Sequence, residues 1–109
     1  MQAKHGIISA DYKAEGGKLL RVRLTLGEGQ PCQIRDIKIT GDFFMHPEEA
    51  IDRLEAMLTD VPYTEEAVRA KVQAFFDQSP RVQVIGASVD DFVHVIMAAG
   101  AGGDGTRAS

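Results

Sequence analysis

The segment Leu20–Leu26 constrains the fold more than any other part of this sequence, because apolar and polar residues alternate in it without a break. Successive side chains of a β-strand point to opposite faces, so the apolar residues share one face and Arg21, Arg23 and Thr25 share the other. This alternation is typical of a strand whose sheet has one buried and one solvent-exposed face. We therefore expect an antiparallel sheet that is covered on one side.

Two further segments complete a predicted three-stranded meander. Residues 6–13 carry the apolar residues of a strand and precede Glu15-Gly16-Gly17, which suits a hairpin turn. Residues 33–40 contain a second alternating stretch, which follows a turn at residues 27–31 with two glycines and a proline. Neither connection is long enough for a crossover, so neighbouring strands should run antiparallel.

After Gly41 the apolar residues recur at helical spacing, which predicts helices packed on the sheet. The run His46-Pro47-Glu48-Glu49 indicates a helix start, with Pro47 at the first helical position. Apolar residues continue at this spacing to Val61, and Pro62 ends the pattern. The first predicted helix therefore follows closely on the third strand.

Two more helices are predicted in the C-terminal half. Thr64-Glu65-Glu66 opens the second helix, which ends before Ser79-Pro80. Residues 82–87 alternate weakly and are interpreted as a loop. Ser88 and Asp91 form the capping-box pattern of a third helix. Apolar residues cover most of its circumference, which favours burial in the core over a face that docks a partner.

Length and composition indicate a single globular domain. The chain has 109 residues, of which 44% are hydrophobic and 26% charged, and we place the domain at residues 1–99. The Gly-rich segment 100–109 is predicted to be a disordered tail. A net charge of −4 without long charge runs argues against nucleic acid and membranes as partners. Neither a membrane-spanning run nor a signal-peptide core is present, so we expect a cytoplasmic protein.

The sequence offers little for catalysis or metal binding. The single cysteine, Cys32, excludes an internal disulfide, and the three histidines, His5, His46 and His94, lack the spacing of metal ligands. No nucleophile, base and orienting group stand in a recognisable spacing. We therefore predict neither a catalytic centre nor a metal site in this chain.

The most unusual segment is residues 41–47, which read Gly-Asp-Phe-Phe-Met-His-Pro. Phe43 and Phe44 are adjacent at a strand-to-helix junction and cannot both enter the same core pocket. One ring is expected to anchor the turn, and the other to form part of a contact surface, since exposed aromatic residues are typical of interface hot spots.

These residues resemble a known family. Three stretches carry the likeness: Gly17-Lys18-Leu19 ahead of the alternating strand, the run from Ile39 to Glu49, and Leu54-Glu55-Ala56-Met57-Leu58. They are similar to the C-terminal accessory domain of lipoate-protein ligases, and to the separate small subunit that carries this domain in two-part ligases. The likeness extends from about Lys18 to Ala98. It implies an α+β fold in two layers, with a three-stranded antiparallel sheet and about three helices packed on one face, similar to iron–sulfur scaffold and sulfur-acceptor proteins.

The resemblance also implies a function. Such a chain would not catalyse alone. It would dock on the catalytic subunit of the ligase and enable ATP-dependent activation of lipoate to lipoyl-AMP, which is then used to lipoylate acceptor domains. The catalytic subunit would bind ATP, magnesium and lipoate, and this chain would hold no cofactor itself. The residues expected to dock are Lys18, Asp42, Phe43, Phe44 and His46, with Gly17, Gly41 and Pro47 as the motif that shapes them.

Two other interpretations stay open. A sulfur-acceptor or scaffold protein of the same fold would use Cys32, in the acceptor case as a persulfide carrier, although Cys32 follows the second predicted strand and not the first. A self-associating module would pair its third helix with a second copy. A homodimer in isolation is also compatible with a docking surface, because such a surface is apolar when it is empty.

Overall fold

The protein is built on a three-stranded antiparallel meander. A computed structural model describes residues 7–13 and 18–100 of the chain. Its strands β1 (Ile7–Lys13), β2 (Leu19–Leu26) and β3 (Ile34–Gly41) are ordered β1-β2-β3. The predicted meander is therefore confirmed, while the hairpin turn expected at residues 15–17 lies outside the described residues.

A β-bulge near the start of β3 keeps its isoleucines on one face. Strict alternation would place Ile34 and Ile37 on opposite faces, yet both are buried. The register shifts between Thr25 and Leu26 of β2, which leaves Arg35 as an extra residue on β3. The bulge thus resolves the break in alternation that the sequence shows at this point.

Three helices follow the sheet: α1 (Ala50–Leu58), α2 (Glu65–Gln78) and α3 (Val89–Gly100). The Thr64 side chain caps α2 by accepting a hydrogen bond from the Ala67 N–H at 3.1 Å. At the start of α3 the Ser88 N–H donates to the Asp91 carboxylate at 3.0 Å, and the Asp91 N–H donates to Ser88 Oγ at 3.2 Å. This reciprocal pair confirms the predicted capping box.

The predicted start of the first helix is wrong by three residues. Pro47 does not occupy the first helical position, because residues 47–49 form a tight turn in which the Ala50 N–H donates to the Pro47 carbonyl at 2.9 Å. The helix begins at Ala50 and ends at Leu58. Val61 is buried, but it belongs to the segment that follows the helix and not to the helix itself.

Helix α3 is the central element of the helical layer. Its residues Phe92, Val93 and Ile96 are among those buried in the core, and the helix contacts β1 and β2 on one side and α2 on the other. The expectation that its apolar circumference is buried in the core is confirmed. A self-associating module built on a free face of this helix is correspondingly disfavoured.

The C-terminal end of α3 reaches Gly100, the residue at which a disordered tail was predicted to begin. The Tyr63 hydroxyl donates to the Ile96 carbonyl at 2.6 Å and accepts from the Gly100 N–H at 2.8 Å. Gly100 therefore belongs to the ordered domain, and the remainder of the predicted tail, residues 101–109, lies outside the described residues.

The β3 edge of the sheet is covered by the chain that follows it. The Ile39 N–H donates to the Glu55 carboxylate of α1 at 2.8 Å. Nearer the start of β3, Ile34 exchanges backbone hydrogen bonds with the segment after α1: its N–H donates to Val61, and its carbonyl accepts from Asp60. Backbone groups at this edge are thereby paired within the molecule.

Helices α1 and α3 contact the strands and α2 packs against both of these helices, so the α+β fold expected from the sequence is confirmed. The opposite side of the sheet, which we call the open face, carries the exposed residues Arg21, Arg23, Lys38 and Thr40. None of the described helices is long and apolar enough to cross a membrane.

A second, two-stranded sheet corrects the sequence analysis. Residues 82–87 were predicted to be a loop, but β5 (Gln83–Ile85) pairs antiparallel with β4 (Phe44–His46). Each strand has three residues and its partner is distant in the chain, so neither produces a local periodic signal long enough to recognise. We call this pair of strands the ribbon.

Candidate functional site

The turn from β3 into the ribbon requires glycine at position 41. Gly41 has φ +152°, and a Cβ atom there would overlap the Leu19 carbonyl oxygen and lie 2.9 Å from the Leu20 Cα. The next residue, Asp42, donates its backbone N–H to that same Leu19 carbonyl at 2.8 Å. The close approach of the two backbones thus fixes where the chain leaves the sheet.

The two adjacent phenylalanines diverge, as expected from the sequence. Phe43 is half-buried, and its ring meets the fully buried Phe92 of α3 edge to face with centroids 5.4 Å apart. Phe44 points away from the core and is 75% exposed. Phe43 therefore anchors the junction to the helical layer, while Phe44 is presented to the surroundings.

Phe44 has an apolar neighbour across the ribbon. It lies opposite Ile85, which is 66% exposed, whereas the next residue, Met45, is buried in the core. His46 is exposed on the same side of β4 as Phe44. Sequence reasoning missed Ile85, although the weak alternation of residues 82–85 carried a signal for the strand that presents it.

Lys18 is held beside this ribbon through Phe43 and Gly86. Gly86 has φ +99°, and a Cβ atom there would lie 3.3 Å from the Phe43 Cα and 3.4 Å from the Lys18 Cγ. The aliphatic part of Lys18 therefore lies over the same backbone that carries the ribbon. Lys18 is exposed and forms no ion pair with the described residues, which leaves its ammonium available to a partner.

The structure thus brings most of the residues singled out in the sequence into one region. Lys18, Phe43 and Phe44 are neighbours, Asp42 is tied to β2 next to Lys18, and His46 ends the first strand of the ribbon. Among the accompanying motif residues, Gly41 shapes the turn and Pro47 follows the ribbon, while Gly17 lies outside the described residues.

This region has the chemistry of a protein contact surface. An exposed aromatic ring and an exposed isoleucine stand side by side, flanked by a cation, and adjacent exposed apolar side chains rimmed by polar residues mark protein contact surfaces. Within residues 7–13 and 18–100 there is no group of three or more His, Cys, Asp or Glu side chains that could hold a metal ion.

Other surface features lie at the far end of the sheet. An open groove of about 380 Å³ is lined by residues around the bulge, including Leu26, Gly27 and Arg35. Cys32 is half-buried in the loop that precedes β3, and its carbonyl accepts from the Tyr63 N–H at 2.7 Å. Neither the groove nor the thiol adjoins the ribbon, because β2 and β3 run away from it towards them.

Comparisons with known proteins confirm the resemblance found in the sequence. A family model described as the bacterial lipoate protein ligase C-terminus matches residues 8–96. The chain is 37% identical over 92 residues to the lipoate-protein ligase A subunit 2 of Thermoplasma acidophilum, and the match covers 84% of this chain and 89% of that subunit.

A solved structure gives the same result. It comes from work on an archaeal lipoylation system, a bi-partite lipoate protein ligase and its E2 lipoyl domain from Thermoplasma acidophilum. The matched chain has a TM-score of 0.69 and 35% identity, and the match covers 85% of this chain and 97% of that one. The chain therefore belongs to the lipoate protein ligase C-terminal family and corresponds to the small accessory subunit of a bipartite lipoate-protein ligase.

Proposed function

We propose that this chain docks on the catalytic subunit of a lipoate-protein ligase and enables that subunit to convert lipoate and ATP into lipoyl-AMP. The observation that carries the proposal is the exposed Phe44–Ile85 pair, held on a ribbon whose position is fixed by Gly41 and Phe43. Family membership supplies the class of partner.

The proposed mechanism is a population shift in the partner. The catalytic subunit samples conformations that differ in how its loops enclose ATP and lipoate, and this chain binds the closed conformation more tightly than the open one. Closure excludes water from the mixed anhydride, which hydrolysis would otherwise destroy. ATP, magnesium and lipoate are bound by the catalytic subunit, and this chain contributes binding energy without a reacting group.

Each docking residue has a distinct role in this scheme. Phe44 supplies the apolar anchor, and Phe43 holds the turn beneath it. Lys18 provides a cation that meets either an acidic patch of the partner or the nucleotide phosphates. Asp42 and His46 are the exposed polar residues that flank the two phenylalanines and form the rim.

The first test is pyrophosphate release from ATP and lipoate by the catalytic subunit, with and without this chain. We expect release to depend on both proteins. If the catalytic subunit alone forms lipoyl-AMP at the same rate, the activation role is refuted. If the chain binds but changes only the transfer of lipoate to the acceptor domain, its role belongs to that second step.

A second experiment tests the docking surface. Ile85→Ser and Phe44→Ser should each raise the concentration of this chain needed for half-maximal stimulation by about fivefold to thirtyfold, since each removes about 1–2 kcal/mol of apolar burial. Saturating amounts of the variant should restore the rate. Ile7→Ser is the matched control, because Ile7 is 64% exposed at the far end of β1.

The control makes the result specific to the ribbon. Ile7→Ser should reduce stimulation less than Ile85→Ser, although it removes the same side chain at nearly the same exposure, because Ile7 lies on the sheet at the end of β1 that is remote from the ribbon. Equal effects of Ile7→Ser and Ile85→Ser would contradict the placement of the docking surface on the ribbon. Lys18→Gln is expected to lower stimulation, while Lys71→Gln on α2 should not.

A further inference from the structure

The open face of the sheet has a charge opposite to that of the whole protein. Its strands present four cations, Lys13, Arg21, Arg23 and Lys38, against two carboxylates, Asp11 and Asp36. The chain as a whole has a formal charge of −4. Positive charge is therefore concentrated on one side of a protein that is acidic elsewhere.

The pairing across the strands shows which of these cations are available. Arg21 lies opposite Asp11 and forms an ion pair with it at 2.8 Å, and the hydrogen bond between them raises the pKa of Arg21. Lys38 is 3.8 Å from the Glu55 carboxylate at the β3 edge. Arg23 forms no ion pair with any described residue.

The surroundings of Arg23 are unfavourable within the isolated chain. Arg23 is central in the middle strand, directly opposite Lys38 on one side and Ser9 on the other. Like charges at directly opposite positions of an antiparallel pair are destabilising. Lys38 has the Glu55 carboxylate 3.8 Å away at the β3 edge, whereas Arg23 in the middle strand has no such partner among the described residues. A carboxylate from outside the chain, placed beside Arg23, would offset this like-charge pair.

The ribbon lies at the end of the sheet where β2 begins and β3 ends. Lys18, which contacts the backbone at Phe43 and Gly86, immediately precedes β2, and Arg23 lies about 17 Å further along that strand. A typical protein interface covers about 800 Å² on each partner, a patch roughly 30 Å across. A footprint of this size is long enough to extend from the ribbon to Arg23 and Lys38.

We propose that the open face extends the docking surface and binds an acidic patch of the catalytic subunit, with carboxylates placed between Arg23 and Lys38. This inference rests on the proposed function, because it names the chemistry of the same partner. A protein surface fits better than nucleic acid. The acidic residues Asp11 and Asp36 would repel a polyphosphate backbone, and the described residues of the open face include no aromatic ring on which bases could stack.

The test measures the association rate constant of the full chain with the catalytic subunit at low and at physiological ionic strength. Arg23→Gln should lower the association rate constant by about fivefold to tenfold at low salt and weaken its dependence on salt. Lys38→Gln should act in the same direction. Lys71→Gln removes an exposed cation from α2, a helix that contacts α1 and α3, and should leave the rate unchanged.

A thermal melt of each variant serves as the control for correct folding. Arg23→Gln should melt at the same temperature as the native chain or higher, because it relieves a like-charge pair. Unchanged binding by Arg23→Gln and Lys38→Gln, with normal stimulation of pyrophosphate release, would overturn the inference and leave the proposed function standing. Failure of the native chain to bind the catalytic subunit at all would overturn both.

A duplex oligonucleotide serves as the competing probe. We expect no binding of this probe at physiological salt. If the oligonucleotide bound and Arg23→Gln abolished that binding, while association with the catalytic subunit was unaffected, the open face would be a nucleic-acid surface and the inference would be wrong.

Discussion

Replacement of Tyr63 by phenylalanine would show how strongly the end of α3 is held to the rest of the domain. The Tyr63 hydroxyl donates to the Ile96 carbonyl at 2.6 Å and accepts from the Gly100 N–H at 2.8 Å. These two backbone groups are four residues apart, so the hydroxyl bridges the positions that define the last turn of the helix. The hydroxyl also lies 3.2 Å from the Met97 carbonyl. The change to phenylalanine keeps the ring and removes all three contacts.

The magnitude follows from the two shorter hydrogen bonds, to Ile96 and from Gly100. A hydrogen bond contributes about 0.5–1.5 kcal/mol net, and a buried group left without a partner costs about 1–3 kcal/mol. Gly100 is exposed, so water can replace the hydroxyl at its N–H, whereas Ile96 is buried. We therefore expect Tyr63→Phe to lower the free energy of unfolding by about 2 kcal/mol, which corresponds to roughly 8–16 °C in Tm for a domain of this size.

Urea denaturation followed by far-UV circular dichroism measures this change directly, since the chain contains no tryptophan for fluorescence. The matched control is Tyr12→Phe, because the Tyr12 hydroxyl donates at 3.2 Å to Asp91, a carboxylate that also accepts from Ser88. This control should cost less. A Tyr63→Phe variant that unfolds at the native urea concentration would show that the hydroxyl does not stabilise the end of α3.

Stability should also respond to pH and to two local features of the backbone. Burial raises the pKa of Tyr63, against a smaller lowering by the hydrogen bond from the backbone at residue 100, so the folded state holds this proton more tightly than the unfolded state. The stability that this proton contributes is complete below about pH 10, the ordinary tyrosine pKa, and is lost as pH rises through the raised folded pKa. Between about pH 9 and about pH 11, Tm should therefore fall less in Tyr63→Phe than in the native chain. Gly41→Ala should cost about 3 kcal/mol in urea denaturation, because its Cβ overlaps the Leu19 carbonyl and its φ is positive. Ser88→Ala should cost about 1 kcal/mol by the same measurement, through loss of the reciprocal cap with Asp91. A native-like midpoint for either variant would contradict the corresponding assignment.

The sheet and the helix caps could be predicted because their causes are local. The alternation in β2 determines which face is buried whatever its partners are, and the Ser88–Asp91 pair satisfies backbone donors within one turn. The start of α1 was predicted less accurately, since Pro47 is equally suited to the tight turn that precedes the helix. A feature is predictable from the sequence when the contacts that determine it lie within a few residues of the chain.

The ribbon could not be predicted for the opposite reason. The stability of β5 comes from pairing with β4, which is about 40 residues away, and from the burial of Met45 beneath it. Residues 82–87 alone carry too few alternating positions to distinguish a strand from a packed loop. The candidate site was consequently located through Phe43 and Phe44, while Ile85 and Gly86 became visible only with the tertiary structure.

The exposed area of the ribbon limits the share of the binding free energy that it can provide. Full burial of a phenylalanine or isoleucine contributes about 1.5–3 kcal/mol. Phe44 is 75% exposed and Ile85 is 66% exposed, so burial of both on docking contributes roughly 2–4 kcal/mol. A micromolar complex requires about 8 kcal/mol after the entropic cost of association. The pair can therefore determine where the partner binds, but other contacts must supply most of the affinity.

The ribbon and the open face are expected to affect different rate constants of binding. Phe44→Ser should act mainly on the dissociation rate constant, because it removes buried apolar contact, whereas Arg23→Gln should act mainly on the association rate constant. The two residues lie on different elements and share no described hydrogen bond or ion pair, so their effects on binding free energy should add in the double variant. A double variant no weaker than Phe44→Ser alone would mean that the two regions do not contact the partner in the same complex, and the continuous docking surface would have to be abandoned.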